Sequence, residues 1–278
     1  MKYVVTRYYF DSLFKAEAER NFVADIQNDP VLKQGNYSYA IGHVSAEDMD
    51  GEEVVRGLIG RIPSAEARFV YDTKEKDFVP TQREDFADVI IEFCAIPSQK
   101  LLLFQLSSKF DHETAISKFK QIYLQSNQSY VAGFEIDYIL NTTDVYNELN
   151  KLSGFIKVSF KDLRPSNPDA KDDYAEIEAL IKETGGDRTD LNIKMDSNSR
   201  VSEANMINID SKLVRQALAL SNHGYGRGEI TGSDAEGEER TIRTYQYKRI
   251  VEIDFQDDGS IAKIKEIVEE GMGNNGKE

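Results

Sequence analysis

Asn222-His223-Gly224-Tyr225-Gly226-Arg227-Gly228 is followed almost at once by a second turn, Gly232-Ser233-Asp234-Ala235-Glu236-Gly237, and then by the long run Arg240 to Asp254. The glycines superficially match a loop that cradles phosphate. A dinucleotide fingerprint, however, needs a strand before its glycines and a helix opening after them. Here the order is reversed. Ile209 to Leu220 places Leu213, Ala217 and Leu220 at helical spacing ahead of the glycines, and a hairpin follows them. The glycines therefore read as positive-φ turn residues that shape backbone.

The same alternation of hairpins and helices extends outward in both directions. Tyr3 to Phe10 is β-branched and aromatic, which predicts a first strand, and Asp11 or Ser12 is placed to cap a helix carrying Leu13, Phe14, Ala18, Phe22 and Ile26. Tyr37 to Val44 predicts a second strand, while Glu52 to Ile59 fits a short helix as well as a buried strand. Arg68 to Val79 predicts one hairpin, and Asp88 to Ile96 with Lys100 to Leu106 a stronger one, whose near-continuous apolar arms belong in the middle of a sheet. Asp111 caps a helix through Tyr123.

Beyond Gln125-Ser126-Asn127-Gln128 the pattern alternates. Strands are expected over Tyr130 to Leu140, Phe155 to Phe160 and Leu191 to Met195. Helices are expected over Thr142 to Leu152, up to Glu183 with Tyr174, Ile177, Leu180 and Ile181 inward, and over Ile261 to Glu270. Hairpins interspersed with helices predict an α+β protein of mainly antiparallel sheets with packed helices, rather than a doubly wound parallel sheet. The division reads as an N-terminal lobe over 1–126, a C-terminal lobe over 127–270 and a flexible tail over 271–278.

Composition narrows the classes of function. With 278 residues, 40% hydrophobic, 14 Tyr and 14 Phe, the chain can build a substantial core. No apolar run approaches the roughly 20 residues that span a bilayer, so no membrane partner is expected. Met1-Lys2-Tyr3-Val4-Val5-Thr6-Arg7 opens no signal-peptide pattern, and the lone Cys94 excludes an intramolecular disulfide, which together predict a cytoplasmic protein. The net charge of −15, from 49 acidic and 34 basic residues, argues against a protein that coats nucleic acid all over. A localised basic surface remains compatible with it.

Catalytic signatures are sparse. His43, His112 and His223 lack partners at ligand spacing, so no metal or cofactor is expected. Glu47-Asp48-Met49-Asp50-Gly51-Glu52-Glu53 lacks a calcium-loop spacing and reads as a solvated loop. Asp88-x-x-x-Glu92 with Lys100, or Asp169 with Lys194, supplies the residue types of a Mg²⁺-dependent nuclease without the Glu-x-Lys spacing. Cys94 lies in an apolar run, where a free thiol is a core residue.

The richest stretch for binding is the run after the second turn. On a strand, Arg243, Tyr245, Tyr247 and Arg249 share one face, a ribbon of guanidiniums that clamp phosphates and rings that stack on bases. Arg227, Arg240 and Lys248 add charge nearby. The competing reading is an ordinary hairpin whose tyrosines pack inward and whose arginines pair with local carboxylates.

The ordered series Phe155 to Lys161, Arg164-Pro165-Ser166-Asn167-Pro168-Asp169, Leu191 to Asn198, the helix ending at Asn222 and the two glycine turns resembles abortive-infection-type bacterial and prophage proteins, and more remotely RexA-like phage-exclusion proteins. The resemblance covers roughly Phe155 to Asp254. It implies a homodimeric, DNA-associating or sensing component of a phage-defence system, often acting with a protein partner encoded alongside. No catalytic residue carries over. The expectation is a non-enzymatic protein that binds DNA or RNA through the hairpin. The alternatives are an acidic protein-interaction or scaffold component, and the nuclease.

Overall fold

The run from Tyr3 to Phe10 does form a strand, β1 (Lys2–Phe10), buried along nearly its whole length. The computed structural model describes residues 1–11, 14–28, 31–63, 68–72, 74, 76–81, 87–127, 131–165, 175–183, 186–195, 206–255, 257 and 259–273. It divides into two compact units, one holding Met1–Tyr3 and Tyr8–Ile136, the other Val4–Arg7 and Asp137–Glu278. The sequence places the division near Ser126, whereas the units part after Ile136. The middle of β1 goes with the C-terminal unit because its ladder partners are there: the Val5 amide donates to the Arg249 carbonyl, and the Ile139 amide to the Val5 carbonyl.

In the first unit the elements are α1 (Lys15–Gln27), β2 (Val31–Gln34), β3 (Tyr37–Met49), β4 (Glu52–Pro63), β5 (Arg68–Asp72), β6 (Asp77–Thr81), β7 (Val89–Ile96), β8 (Leu101–Gln105) and α2 (His112–Ser126). The sheet order is β1-β8-β7-β4-β3-β2, with β5 and β6 as a separate hairpin. The ambiguous Glu52 to Ile59 is strand, because it pairs antiparallel with β3 on one side and β7 on the other. Strands β7 and β8 are central, as their apolar runs predict. The Asp111 carboxylate caps α2 by accepting from the Thr114 amide at 3.1 Å. That fixes Phe119 edge-on to Phe93 and Phe104, with ring centroids 5.1 and 5.5 Å away. Cys94 is buried within this core, and burial pushes its thiol well above the ordinary range.

Continuing the chain, β9 (Phe134–Tyr138) leads into α3 (Thr142–Leu149), β10 (Gly154–Leu163), α4 (Ala175–Glu183), β11 (Thr189–Lys194), α5 (Lys212–Asn222), β12 (Arg227–Ser233), β13 (Glu239–Arg243), β14 (Ile250–Glu252) and α6 (Ser260–Gly273). The second unit's sheet is antiparallel in the order β11-β10-β12-β13. One face, with Val158, Phe160, Ile230 and Ile242, packs against Val145 and Leu149 of α3, Ile177 and Ile181 of α4, and Val214, Ala217 and Leu218 of α5. Leu180 and Leu213, expected inward, are 47% and 37% exposed. Of the expected tail, Gly271 to Gly273 continue α6, and 274–278 lie outside the described residues, as do Tyr174 and Asp169. No helix of the described residues is long and apolar enough to cross a membrane.

Candidate nucleic-acid interface

The glycine turn after α5 is an anchor. Arg7 of β1, 4% exposed, donates through Nε to the His223 carbonyl at 3.0 Å, and its guanidinium lies 4.7 Å over the Tyr225 ring. Gly226 has φ +147 and sits against Leu163 and the Lys161 carbonyl, where a Cβ would lie 2.9 to 3.0 Å from them. The Tyr225 carbonyl accepts from the Arg164 amide at 3.0 Å. No side chain of the turn is left exposed until Arg227.

The strand expected from Arg240 to Asp254 is interrupted, so the four-residue ribbon does not form. β13 ends at Arg243, and Thr244 to Gln246 make a 3₁₀ turn. The cause is Thr244, which is fully buried: its hydroxyl accepts from the Gly228 amide at 3.0 Å and lies 3.0 Å from the Ser221 hydroxyl. Those two bonds draw the chain inward, and strand alternation is lost beyond Arg243.

The seven residues of the sequence reading therefore scatter. Arg243 lies on the face of the sheet away from the helices, opposite Glu229 in register, and its Nε is 3.4 Å from the Glu229 carboxylate. Arg240 is opposite Gly232 on the other face. Tyr245 is half-buried, and Tyr247 packs against the core, its backbone carbonyl accepting from the Asn141 amide. Burial first, and then the Glu148 carboxylate, hold the Tyr247 phenol above its usual range. The Lys248 ammonium lies 4.6 Å over the Tyr138 ring, and Arg249 is half-buried with its backbone in the ladder to Val5 and Ile139. Only Arg227 and Arg243 are brought together on one exposed face.

That face carries cations the sequence reading did not single out. In β10, Lys157, Ser159 and Lys161 alternate with the buried Val158 and Phe160. Register places Lys157 directly opposite Lys194 of β11, and Lys161 directly opposite Arg227 of β12. Like charges facing each other across strands destabilise a sheet by a few tenths of a kcal/mol up to about 1 kcal/mol. Among the described residues, no carboxylate pairs with Lys157, Lys161 or Lys194. The carboxylates on this face, Asp190, Glu229 and Glu239, are outnumbered by the cations. Asp190 accepts from the Asp162 amide, and Glu229 is held by Arg243.

Arg227 has a second relationship. Its Nε is 2.7 Å from Asp137 Oδ1, a carboxylate only 4% exposed at the end of β9. Desolvation raises the Asp137 acid above its ordinary value, with Arg227 pulling it back down and Asp162 adding to the rise. Arg164 lies within reach of the same field: burial, and then the Arg227 charge, push its guanidinium down to about 9, still protonated at neutral pH. Positive charge is thus concentrated where β10 and β12 meet the glycine turn.

Among the described residues the nuclease reading finds no matching geometry; its second carboxylate, Asp169, lies outside them. Asp88 is clamped by the Arg61 guanidinium at 2.8 to 3.0 Å, and Glu92 accepts from Arg56 and from the Tyr3 hydroxyl. Lys100 pairs with Glu19. Among the described residues, no group of three or more His, Cys, Asp or Glu is arranged to hold a metal ion.

The sequence profile of the family described as Domain of unknown function (DUF4747) matches residues 8–269, nearly the whole chain, so the chain belongs to that family. No curated protein matches it. The family description names no activity.

Proposed function

We propose that this member of the DUF4747 family binds nucleic acid without altering it, through the open face of its β11-β10-β12-β13 sheet. The observation that carries this reading is the pair of in-register cation pairs, Lys157 opposite Lys194 and Lys161 opposite Arg227, on an exposed face of a chain of net charge −15. In a self-repelling acidic protein, cations gain most by being spread among carboxylates. Stacking them against each other costs stability, and a polyanion that neutralises both members of a pair recovers it. The test is fluorescence anisotropy on a labelled nucleic acid across a salt series. Lys157→Ala/Lys194→Ala is expected to weaken binding by about tenfold per lost contact at 0.1 M salt, and to flatten the slope of log K against log salt by about 0.9 per phosphate. An intact protein that shows no retention at low salt ends the reading.

A second reading rests on the same electrostatics with the sign reversed. At the tip of the β3–β4 hairpin Asp48 lies directly opposite Glu53, with Glu47 and Asp50 exposed beside them. A basic protein partner would neutralise that tip. An oligolysine probe is expected to bind the native chain with strongly salt-dependent affinity, and Asp48→Asn/Glu53→Gln to weaken it several-fold. Equal binding by the variant removes this reading.

A further inference from the structure

We infer that the form of nucleic acid this face takes is a duplex, gripped by its two phosphate backbones, and not an unpaired strand; the inference rests on the sheet-face reading above. Single strands are held without sequence preference by aromatic rings on which successive bases stack. Among the described residues the open face offers none. Its side chains are Lys157, Ser159 and Lys161 of β10, the alternate polar positions of β11, and Arg227, Glu229, Thr231, Glu239, Thr241 and Arg243 of the hairpin. Of the neighbouring tyrosines, Tyr245 is half-buried in the 3₁₀ turn beyond β13, outside the strands of this face, and three others are spent elsewhere. Tyr225 is 7% exposed over Arg7, Tyr138 lies under Lys248, and Tyr247 packs on the core.

What remains is a flat centre between two charged rows. Ser159 and Thr231 are buried between their neighbours, and the Thr231 and Thr241 hydroxyls lie 3.0 Å apart. Glu229, the carboxylate between the rows, is engaged by Arg243. The Lys157–Lys194 row and the Lys161–Arg227 row are four residues apart along β10, which at about 3.3 Å per residue is roughly 13 Å. The major groove of a B-form duplex is about 12 Å wide. Two cation rows at that separation match the two backbones flanking a groove, while hydroxyls and a short carboxamide, Asn192, cover the space between. Such a grip reads phosphate position and carries no base readout.

The experiment compares one labelled sequence as a duplex and as a single strand, by anisotropy at low salt, with the native chain, Lys157→Ala/Lys194→Ala and Lys161→Ala. These lysines make no ion pair among the described residues, so the variants are expected to fold. The expected result is at least tenfold tighter binding to the duplex, indifference to its sequence, and a flatter salt slope in both variants. Equal or tighter binding to the single strand overturns the duplex assignment while the sheet-face reading stands. A slope flattened by only one of the two variants overturns the two-row grip. Binding to neither form overturns both the inference and the reading beneath it.

Discussion

Gly232→Ala is expected to lower stability by about 3 kcal/mol, and the melting temperature by roughly 6 to 12 °C at the 2 to 4 °C per kcal/mol typical of a chain this size. Gly232 sits in β12 opposite Phe155, at the place where the β10–β12 register shifts. There the strands approach so closely that a Cβ would overlap the Gly154 carbonyl oxygen and touch Leu152 Cδ1 at 3.1 Å. The obstacle is backbone, not the far end of a flexible side chain. The second unit's core lies directly beneath, with Leu152, Val158 and Ile230 all buried. Gly237→Ala, at the hairpin tip with φ +83 and nothing within 4 Å, supplies the contrast. It loses only the left-handed preference, about 1 kcal/mol. Thermal or urea unfolding of the two variants separates space from dihedral, and equal losses would refute the close-approach argument.

How much of this was legible in the residues depended on how local the cause was. The apolar arms of β7 and β8 announce central strands, and Asp111 ahead of Ala115, Ile116 and Phe119 announces a capped helix, because each signal lies within a few residues. The inward faces of α4 and α5 were half legible. Leu213 and Val214 are both apolar, and either suits a helical stripe. Packing against the sheet selects Val214 and leaves Leu213 out. The break after Arg243 was not legible, since it comes from a buried hydroxyl whose partners, Ser221 and Gly228, lie on α5 and β12. The same holds for the site. Arg227 and Arg243 stood out beside the glycines, but Lys157, Lys161 and Lys194 look like the ordinary polar positions of half-buried strands. They become a feature only when register sets them against one another.

Arg227→Ala is the other change expected to have a large effect, and its signature is in pH. The Arg227–Asp137 pair has one partner 52% exposed and the other nearly dry. Removing a partner from a fully buried pair costs about 3 to 5 kcal/mol, and the half-exposed arginine brings the expectation here to about 2 to 3 kcal/mol at neutral pH. The sign follows from Asp137. Its folded-state acid is already raised by desolvation, so the native chain holds that proton more tightly than the unfolded one. Such a group favours the fold at pH below its unfolded value, and the advantage is lost as pH rises through the folded value. Deleting Arg227 removes the influence that lowers the folded value and so widens that window. The variant's deficit is therefore expected to be small in acid and to grow toward neutrality, as Asp137 ionises without its partner. Asp137→Asn in the Arg227→Ala background removes the stranded charge and is expected to restore most of the loss at neutral pH, flattening the profile. Denaturant unfolding of the native chain, the single variant and the double variant at several pH values reads all three effects. A deficit independent of pH, or one unrelieved by Asp137→Asn, would mean that Arg227 stabilises the turn by packing and that Asp137 finds its compensation elsewhere.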